Sequence, residues 1–189
     1  MAALAPAYPL RTERLLLRPF TTDDFEAVFP IHSSADVARY LVWDPRTAAE
    51  VREVLERKTR STRIAVDGDG LSLAIVVEAT GDLVGDCSLT LLSRAHRQGE
   101  IGFLLHPDHQ GHGYATEAAA AILELAFGTY GLHRVHGCVE PRNAASARVL
   151  ERLGMRHEAH LVENEYVKGE WQSEIIYAIL DREWRAFQD

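Results

Sequence analysis

The segment from Gln98 to Ala121 constrains the fold of this chain more than any other. An apolar run over Ile101 to Leu105 is typical of a buried strand, and two closely spaced glycines, Gly111 and Gly113, follow Pro107. Apolar residues then recur as one buried helical face, at Ala118, Ala121, Ile122, Leu125 and Ala126. A helix that begins after a glycine loop presents N–H groups without intrahelical partners at the positive end of its dipole. The segment therefore predicts a binding site for phosphate.

The glycine spacing separates this loop from two common nucleotide-binding loops. A Rossmann site needs G-x-G-x-x-G directly after a strand, and a P-loop needs G-x-x-x-x-G-K followed by Ser or Thr, and neither is present. The loop instead reads Gln110-Gly111-His112-Gly113-Tyr114-Ala115, which resembles the pyrophosphate signature of the GCN5-related N-acetyltransferases (GNAT). The stretch EIGFLLHPDHQGHGYATEA resembles the RimJ/RimL branch, which acetylates ribosomal-protein N-termini. The resemblance implies that these six loop residues bind acetyl-coenzyme A (acetyl-CoA), whereas a purely local glycine turn is the alternative.

The composition predicts one globular domain over residues 1–189, with residues 1–12 as a flexible tail. Of the 189 residues, 47% are hydrophobic and 25% charged, and the net charge of −8 argues against a nucleic-acid partner bound through a basic face. An anionic cofactor must then be attracted locally, by amides and by arginines such as Arg142 or Arg148. The sequence has no apolar run of eighteen residues and no signal-peptide pattern, which predicts a cytoplasmic protein without a membrane partner. We expect Cys87 and Cys138 to be buried free thiols rather than catalytic ones.

The order of elements predicts an α/β fold. Early helices precede an antiparallel meander and then a β-α-β-α-β-β run, which implies a mixed, mostly antiparallel sheet of about seven strands. The GNAT resemblance implies that the middle strands are splayed and that helices flank the sheet. The expected strands are Arg14–Phe20, Arg63–Val66, Leu73–Ala79, Leu83–Leu92, Glu100–Leu105, Arg134–Glu140, His157–Tyr166 and Trp171–Leu180. Capping boxes are expected at Asp23 with Glu26 and at Thr47 with Glu50.

Glu100 is the candidate general base. Acetyl transfer to an amine requires a neutral amine, and a partly desolvated carboxylate at a strand end can accept its proton, directly or through water. Glu100 lies on the strand that leads into the glycine loop, and the RimL-like resemblance favours this role. The alternative is an ordinary charged residue on a strand margin.

A second group of candidates lies in NAASARVLERLGM. The Asn-x-x-Ser spacing resembles the pattern after the fifth strand of the family, which implies that Ser146 protonates the coenzyme A thiolate and that Asn143 contacts the pantetheine arm. Simple capping of the helix is the alternative for both residues. By the same resemblance, the backbone of Phe103, Leu104 and Leu105 pairs with the pantetheine amides, as a strand edge pairs with an extended chain.

The acceptor side is predicted less sharply. The resemblance makes Tyr40 and Trp43 candidates for the wall of the acceptor site, with ordinary packing as the alternative. His106, His109 and His112 recur every three residues, but Pro107 and the glycines preclude a regular helix there, so we expect no metal. His109 is a secondary candidate for an auxiliary base.

Taken together, the sequence predicts an acetyl-CoA-dependent N-acetyltransferase that acts by direct transfer in a ternary complex. The acceptor is a protein N-terminus or a small amine, and the sequence leaves this choice open. Two alternatives also stay open: another acyl donor such as succinyl-CoA, and a CoA-binding sensor without catalysis. RimL-like proteins often form homodimers, and the spacing of residues shows no interface.

Overall fold

The computed structural model describes residues 6–188. Within that range the chain forms one mixed sheet of eight strands in the order β1-β2-β3-β4-β5-β6-β8-β7, with six α-helices. The strands are β1 (Leu10–Arg11), β2 (Leu15–Pro19), β3 (Gly70–Val77), β4 (Leu83–Ser93), β5 (Gln98–Leu105), β6 (Arg134–Val139), β7 (Arg156–Val167) and β8 (Glu170–Leu180). The helices are α1 (Phe25–His32), α2 (Ala35–Ala38), α3 (Ala48–Arg60), α4 (Tyr114–Glu124), α5 (Ala144–Arg152) and α6 (Asp181–Gln188).

The two faces of the sheet have different surroundings. Because side chains alternate along a strand, Ile101 and Val135 point to one face, where they belong to a buried cluster with Ile122 of α4 and Leu150 of α5. On the opposite face, α1 and α3 cover β2 and β3 through a smaller cluster that contains Val28, Val51, Leu55, Ala74 and Val76. The β5–β6–β8 part of this second face carries polar, half-buried side chains instead.

The sheet opens in its middle, between β5 and β6. These two strands are parallel and pair only at Gln98 with Arg134, Gly99 with Val135 and Glu100 with His136. Beyond Glu100, β5 stays paired with β4 as far as Leu105, and β6 stays paired with β8 as far as Val139. The splayed middle strands of the prediction are confirmed, and the gap begins directly after Glu100 and His136.

The expected number of about seven strands was too low, and one expected strand is absent. The additional strand is β1, whose Leu10 pairs with Leu17 of β2. Within the described chain, the segment Arg63–Val66 forms no strand, although isolated bridges occur at Thr62, which pairs with Leu71, and at Ile64. The reason is local: the Asp69 carboxylate accepts the N–H groups of Ala65 (2.8 Å) and Val66 (2.9 Å), so these amides are engaged in a turn.

The helices follow the predicted signals with two exceptions, a displaced capping box and an additional helix. Thr47 and Glu50 form the expected capping box of α3, but the box near the first helix uses Thr21 and Asp24 rather than Asp23 and Glu26. The terminal helix α6 was not predicted. Its Trp184 is 3% exposed and packs against Phe127, which ties the end of the chain to the core.

The expected tail over residues 1–12 lies only partly within the described residues, because residues 1–5 are outside them. In the described part, the Tyr8 hydroxyl donates to the Thr62 carbonyl at 2.9 Å, and Leu10–Arg11 forms β1. None of the described helices combines the length and the apolar character needed to span a membrane.

Candidate functional site

The glycine loop ends in a helix N-terminus whose amides are free. Gly111 and Gly113 have φ angles of +80° and +83°, which side chains other than glycine rarely adopt, and Gly113 is the N-cap of α4. The first backbone bond of the helix runs from the Glu117 N–H to the Gly113 carbonyl at 3.0 Å. Among the described residues, no acceptor takes the N–H groups of residues 111–116. The loop therefore offers a group of convergent donors to an anion.

Arg14 and Glu117 fix this loop to the start of the sheet. The Arg14 Nη1 donates to the His112 carbonyl at 3.0 Å, and the Arg14 Nε donates to Glu117 Oε2 at 2.7 Å. Burial acts to raise the pKa of Glu117, but hydrogen bonds from Thr12 and Arg14 outweigh it and lower that pKa. The sequence analysis missed this pair, because its members are 103 positions apart.

The loop opens onto a cleft of about 370 Å³ between β5, α2, α4 and α5. Most of the predicted cofactor and acceptor residues line it, namely Tyr40, Phe103, Leu104, Leu105, Gln110, Gly111, Gly113, Ala115, Asn143, Ser146 and Arg148. The cleft also contains residues that were not predicted, namely Asp36, Val37, Leu41, Thr116, Ala145, Val149 and Arg152. The remaining predicted residues lie outside this lining: His112 and Tyr114 stack on each other at 5.6 Å, Trp43 stacks on His32 at 5.2 Å, and Glu100 lies at the β5–β6 junction.

Asn143 and Ser146 begin α5 at the edge of the cleft. The Asn143 Oδ1 accepts the Ser146 N–H at 3.1 Å, so Asn143 is the N-cap of the helix. Both residues also line the cleft. Capping and ligand contact are therefore compatible, because the cap uses the backbone N–H of Ser146 and leaves its hydroxyl available.

Positive charge is concentrated near the cleft although the whole chain carries a net charge of −8. Arg148 and Arg152 extend from α5 into the lining, and neither forms an ion pair with any described residue. Arg14 contacts the loop from the other side. Because an unpaired guanidinium attracts phosphate over a screening length of about 8–10 Å, Arg148 and Arg152 complement the loop amides, whereas the charge of Arg14 is balanced by Glu117.

Glu100 lies where the sheet opens, with its side chain 40% exposed. Burial raises the pKa of Glu100, and the negative charge of Glu174 raises it further. Such a carboxylate is a better proton acceptor than an ordinary surface one, which is what the predicted base requires.

Two side chains of β6 surround Glu100. The His136 Nε2 lies 3.8 Å from Glu100 Oε2, and one ligand atom each from Glu100, His136 and Cys138 lies within 4.8 Å of the others. Burial raises the pKa of the Cys138 thiol to about 12, with Glu174 as the next cause, so this thiol is protonated at neutral pH. No pattern in the sequence indicated this cluster.

The cluster is poorly arranged for a metal ion. The Arg134 Nη1 lies 3.1 Å from His136 Nδ1, and a guanidinium can only donate, so Nδ1 is an acceptor and the proton of the neutral ring is on Nε2. A metal-ligating histidine has the opposite arrangement, because its second nitrogen donates outward to a carboxylate or carbonyl. His106, His109 and His112 do not form a metal-sized group with each other among the described residues.

Two segments meet at α2, beside the cleft. Tyr40 and Leu41 follow α2 into the cleft lining. The tip of the β7–β8 hairpin reaches the same helix, because the Lys168 Nζ donates to the Ala38 carbonyl at 2.6 Å. The sequence analysis did not predict this contact.

Comparisons with known proteins agree with this geometry. A family model described as an acetyltransferase (GNAT) domain matches residues 14–156. The chain is 32% identical over 176 residues to the uncharacterized N-acetyltransferase YnaD of Bacillus subtilis, covering 93% of this chain and 98% of YnaD. The solved structure of a GNAT-family acetyltransferase from Bacillus anthracis superimposes with a TM-score of 0.83 at 30% identity, covering 92% of this chain and 98% of that one.

Two further relatives bear on the acceptor. The spermidine N(1)-acetyltransferase of Escherichia coli is 25% identical over 171 residues, covering 90% of this chain and 88% of the relative. A Bacillus subtilis protein provisionally named as the ribosomal N-acetyltransferase YdaF is 30% identical over 141 residues, or 75% of each chain. The broader resemblance is thereby confirmed, whereas the narrower RimJ/RimL assignment is not.

Proposed function

We propose that this chain, which belongs to the GNAT family of N-acetyltransferases, transfers the acetyl group of acetyl-CoA directly to a primary amine in a ternary complex. One observation carries the proposal. One cleft joins the glycine loop, which lines it with Gly111, Gly113, Ala115 and Thr116, to the open edge of β5. That edge leads back to Glu100, where the sheet opens.

The cleft suits an elongated ligand with an anionic end. The loop amides and Arg148 would hold the diphosphate, with Gln110 at the start of the loop. Among the described residues, none pairs with Ile101 to Leu105 on the β6 side of β5, so the backbone groups there can pair with the amides of the pantetheine arm. Asn143 and Ser146 line the cleft from the opposite wall. These residues would align the thioester with the gap in the sheet.

The chemistry requires two proton transfers from the acceptor. Glu100 removes the first proton from the ammonium group, directly or through water, and later releases it to solvent. The nitrogen–carbon bond then forms while the carbon–sulfur bond breaks. Ser146 donates its hydroxyl proton to the leaving thiolate, and the second proton of the amine replaces it. The products are the N-acetyl amine and free CoA.

We infer that the acceptor is a small amine with more than one positive charge. The Glu100 carboxylate lies within 4.8 Å of the Cys138 thiol, and the charges of Glu174 and Glu165 also act on the pKa of Cys138. Within the described chain, none of the three pairs with a lysine or an arginine. A polycationic amine would supply the missing positive charge, and the spermidine acetyltransferase relative supports this class. The YdaF relative supports a protein N-terminus as the second candidate.

The binding half of the proposal is tested by Gly113→Val. Valine at a φ of +83° is strained, and its Cβ would lie 3.4 Å from Arg14 Nη2, so the free amides would be displaced. We expect calorimetry to show loss of acetyl-CoA binding. The matched control is Gly81→Val, which imposes similar strain at φ +78° in an open turn outside the cleft lining and should leave binding within about twofold. Equal binding by both variants would contradict the proposed cofactor site.

The catalytic half is tested by Ser146→Ala. Loss of the proton donor should reduce kcat about tenfold or more, while the dissociation constant of acetyl-CoA changes less than about twofold. Parallel loss of both would contradict the role of Ser146.

The substrate screen crosses acetyl-CoA and succinyl-CoA with spermidine and an N-terminal peptide. Binding of CoA without thiol release on any acceptor would favour the sensor alternative.

A further inference from the structure

We propose that His136 is a positioning residue for Glu100: Arg134 holds its ring as the Nε2–H tautomer, and the ring donates to the Glu100 carboxylate when an acceptor binds. The donation would aim the carboxylate at the incoming amine. The inference rests on the proposed acetyl transfer and adds a group that neither the sequence pattern nor the comparisons assigned.

The first step of the argument is the tautomer. The Arg134 Nη1 lies 3.1 Å from His136 Nδ1, and arginine has no acceptor atom. The ring nitrogen must therefore accept, which leaves the proton of a neutral imidazole on Nε2. Arg134 is itself held in place, because its Nη2 donates to Glu158 on β7.

The second step is the distance. His136 Nε2 and Glu100 Oε2 are 3.8 Å apart, which is longer than a hydrogen bond. Glu100 and His136 are register partners on adjacent strands, so a side-chain rotation is enough to bring the atoms together. Catalytic hydrogen bonds are often long in a free enzyme and shorten when the substrate is bound.

The third step is the charge state of the ring. Burial lowers the pKa of His136, and the nearby positive charge of Arg134 lowers it further. The ring is therefore a neutral donor at working pH and does not compete with the ammonium group of the acceptor. The titratable and charged groups around Glu100 are Arg134, His136 and Cys138 on β6, Glu158 and Glu165 on β7, and Glu174 on β8.

The kinetic test compares His136→Leu with His136→Gln. A donor to the carboxylate favours its ionised form, so removing the donor should raise the pKa of Glu100. For His136→Leu we expect the acid limb of the kcat–pH profile, which reports the acceptor-bound enzyme, to move up by about one pH unit, and the plateau of kcat to fall about tenfold. Glutamine keeps an N–H near the position of Nε2, so His136→Gln should stay within about threefold of the wild type at an unchanged KM for acetyl-CoA. An unchanged acid limb in the leucine variant, or equal impairment of both variants, would overturn the proposal.

The structural test does not depend on turnover. Long-range ¹⁵N–¹H NMR of the histidine rings should show His136 as the neutral Nε2–H tautomer in the wild type, and a mixture of tautomers in Arg134→Met. Glu158→Gln is the control, because the glutamine oxygen can still accept from Arg134 Nη2 and so keeps the guanidinium beside Nδ1. An Nδ1–H ring or a charged ring in the wild type at pH 7.5 refutes the inference. If the wild type acetylates no amine, the proposed function fails instead, and the tautomer remains measurable.

Discussion

The chain contains two arrangements of arginine, histidine and carboxylate that look alike and differ in one neighbour. Where the sheet opens between β5 and β6, Arg134 contacts His136, and 3.8 Å separates the His136 ring from the Glu100 carboxylate. Under α1, Arg46 contacts His32 Nδ1 at 2.7 Å, and His32 Nε2 lies 3.9 Å from Asp86 Oδ2. We call these the open triad and the buried triad.

The difference between the triads is the charge of the next residue. In the buried triad, Lys58 Nζ lies 3.0 Å from Asp86 Oδ1, whereas the open triad has Glu174 as its neighbour. Burial acts to raise the pKa of both carboxyls. For Asp86 the charge of Lys58 and the contacts with His32 outweigh burial and lower the pKa, whereas for Glu100 the charge of Glu174 adds to burial. Similar arrangements thus give a carboxyl with a lowered pKa in the buried triad and a carboxyl with a raised pKa in the open triad.

The largest expected effect separates the triads by activity. Replacing a general base typically costs about 10²–10⁴-fold in rate, so Glu100→Gln should reduce kcat/KM by that factor. Asp86→Asn should change kcat/KM far less when both variants are assayed at a temperature where they are folded. Steady-state kinetics with the best amine of the screen measures both. A decrease in kcat/KM of less than tenfold for Glu100→Gln would contradict the proposed difference between the two triads.

The next effect separates them by stability. Asp86→Asn leaves Lys58 largely buried without its counter-charge, which should lower the free energy of unfolding by about 3–5 kcal/mol. For a chain of this length that corresponds to a decrease in Tm of about 6–20 °C. The double variant Lys58→Met with Asp86→Leu removes both charges and should recover much of the loss. Urea unfolding measures these free energies, and equal instability of the single and double variants would contradict the ion-pair account.

The pH dependence of stability should have opposite signs in the two triads. The folded pKa of Asp86 is depressed, so its contribution is present above the unfolded value of about 4 and is lost as pH falls through the folded value. The folded pKa of Glu100 is raised, so the wild type loses stability relative to Glu100→Gln as pH rises from about 4 through the folded value. Thermal unfolding of both variants and the wild type from pH 3 to 8 tests this. Parallel curves for the two variants would refute it.

The smallest effect concerns Glu174 alone. Removing its charge with Glu174→Gln should lower the pKa of Glu100 and move the acid limb of kcat/KM down by a few tenths of a pH unit. Glu165→Gln is the matched control, because Glu165 acts on the pKa of Cys138 but is not a cause of the shift at Glu100. A shift of equal size in both variants would mean that only the overall charge matters.

Local patterns predicted the conformation of the strand, glycine loop and helix segment, and the cap of α5. The strand, glycine loop and α4 are contiguous in sequence, and the loop conformation depends on Gly111 and Gly113 themselves. The Asn143 cap is equally local. The strand expected at Arg63–Val66 was wrong because apolar content indicated a strand while the Asp69 side chain engaged the amides of a turn.

The parts that were missed depend on contacts between distant residues. Arg14 with Glu117, His136 with Glu100 and Lys168 with Ala38 are brought together by the topology of the sheet and its hairpin. Helix α6 was not predicted because its amphipathic pattern is short, and the contact that fixes it joins Trp184 to Phe127, which is distant in sequence. Single-sequence reasoning has no access to these partners.

The gap between β5 and β6 has a thermodynamic consequence. In the part of the chain that the structure describes, the backbone groups of β5 and β6 that face the gap belong to no ladder, so a bound thioester could pair with them as a further strand would. Binding of the acyl donor to the folded state then stabilises that state by mass action. When the concentration of the acyl donor is about 100 times its dissociation constant, the free energy of unfolding increases by about 2.7 kcal/mol. The lifetime of this enzyme in the cell would accordingly follow the supply of its own acyl donor.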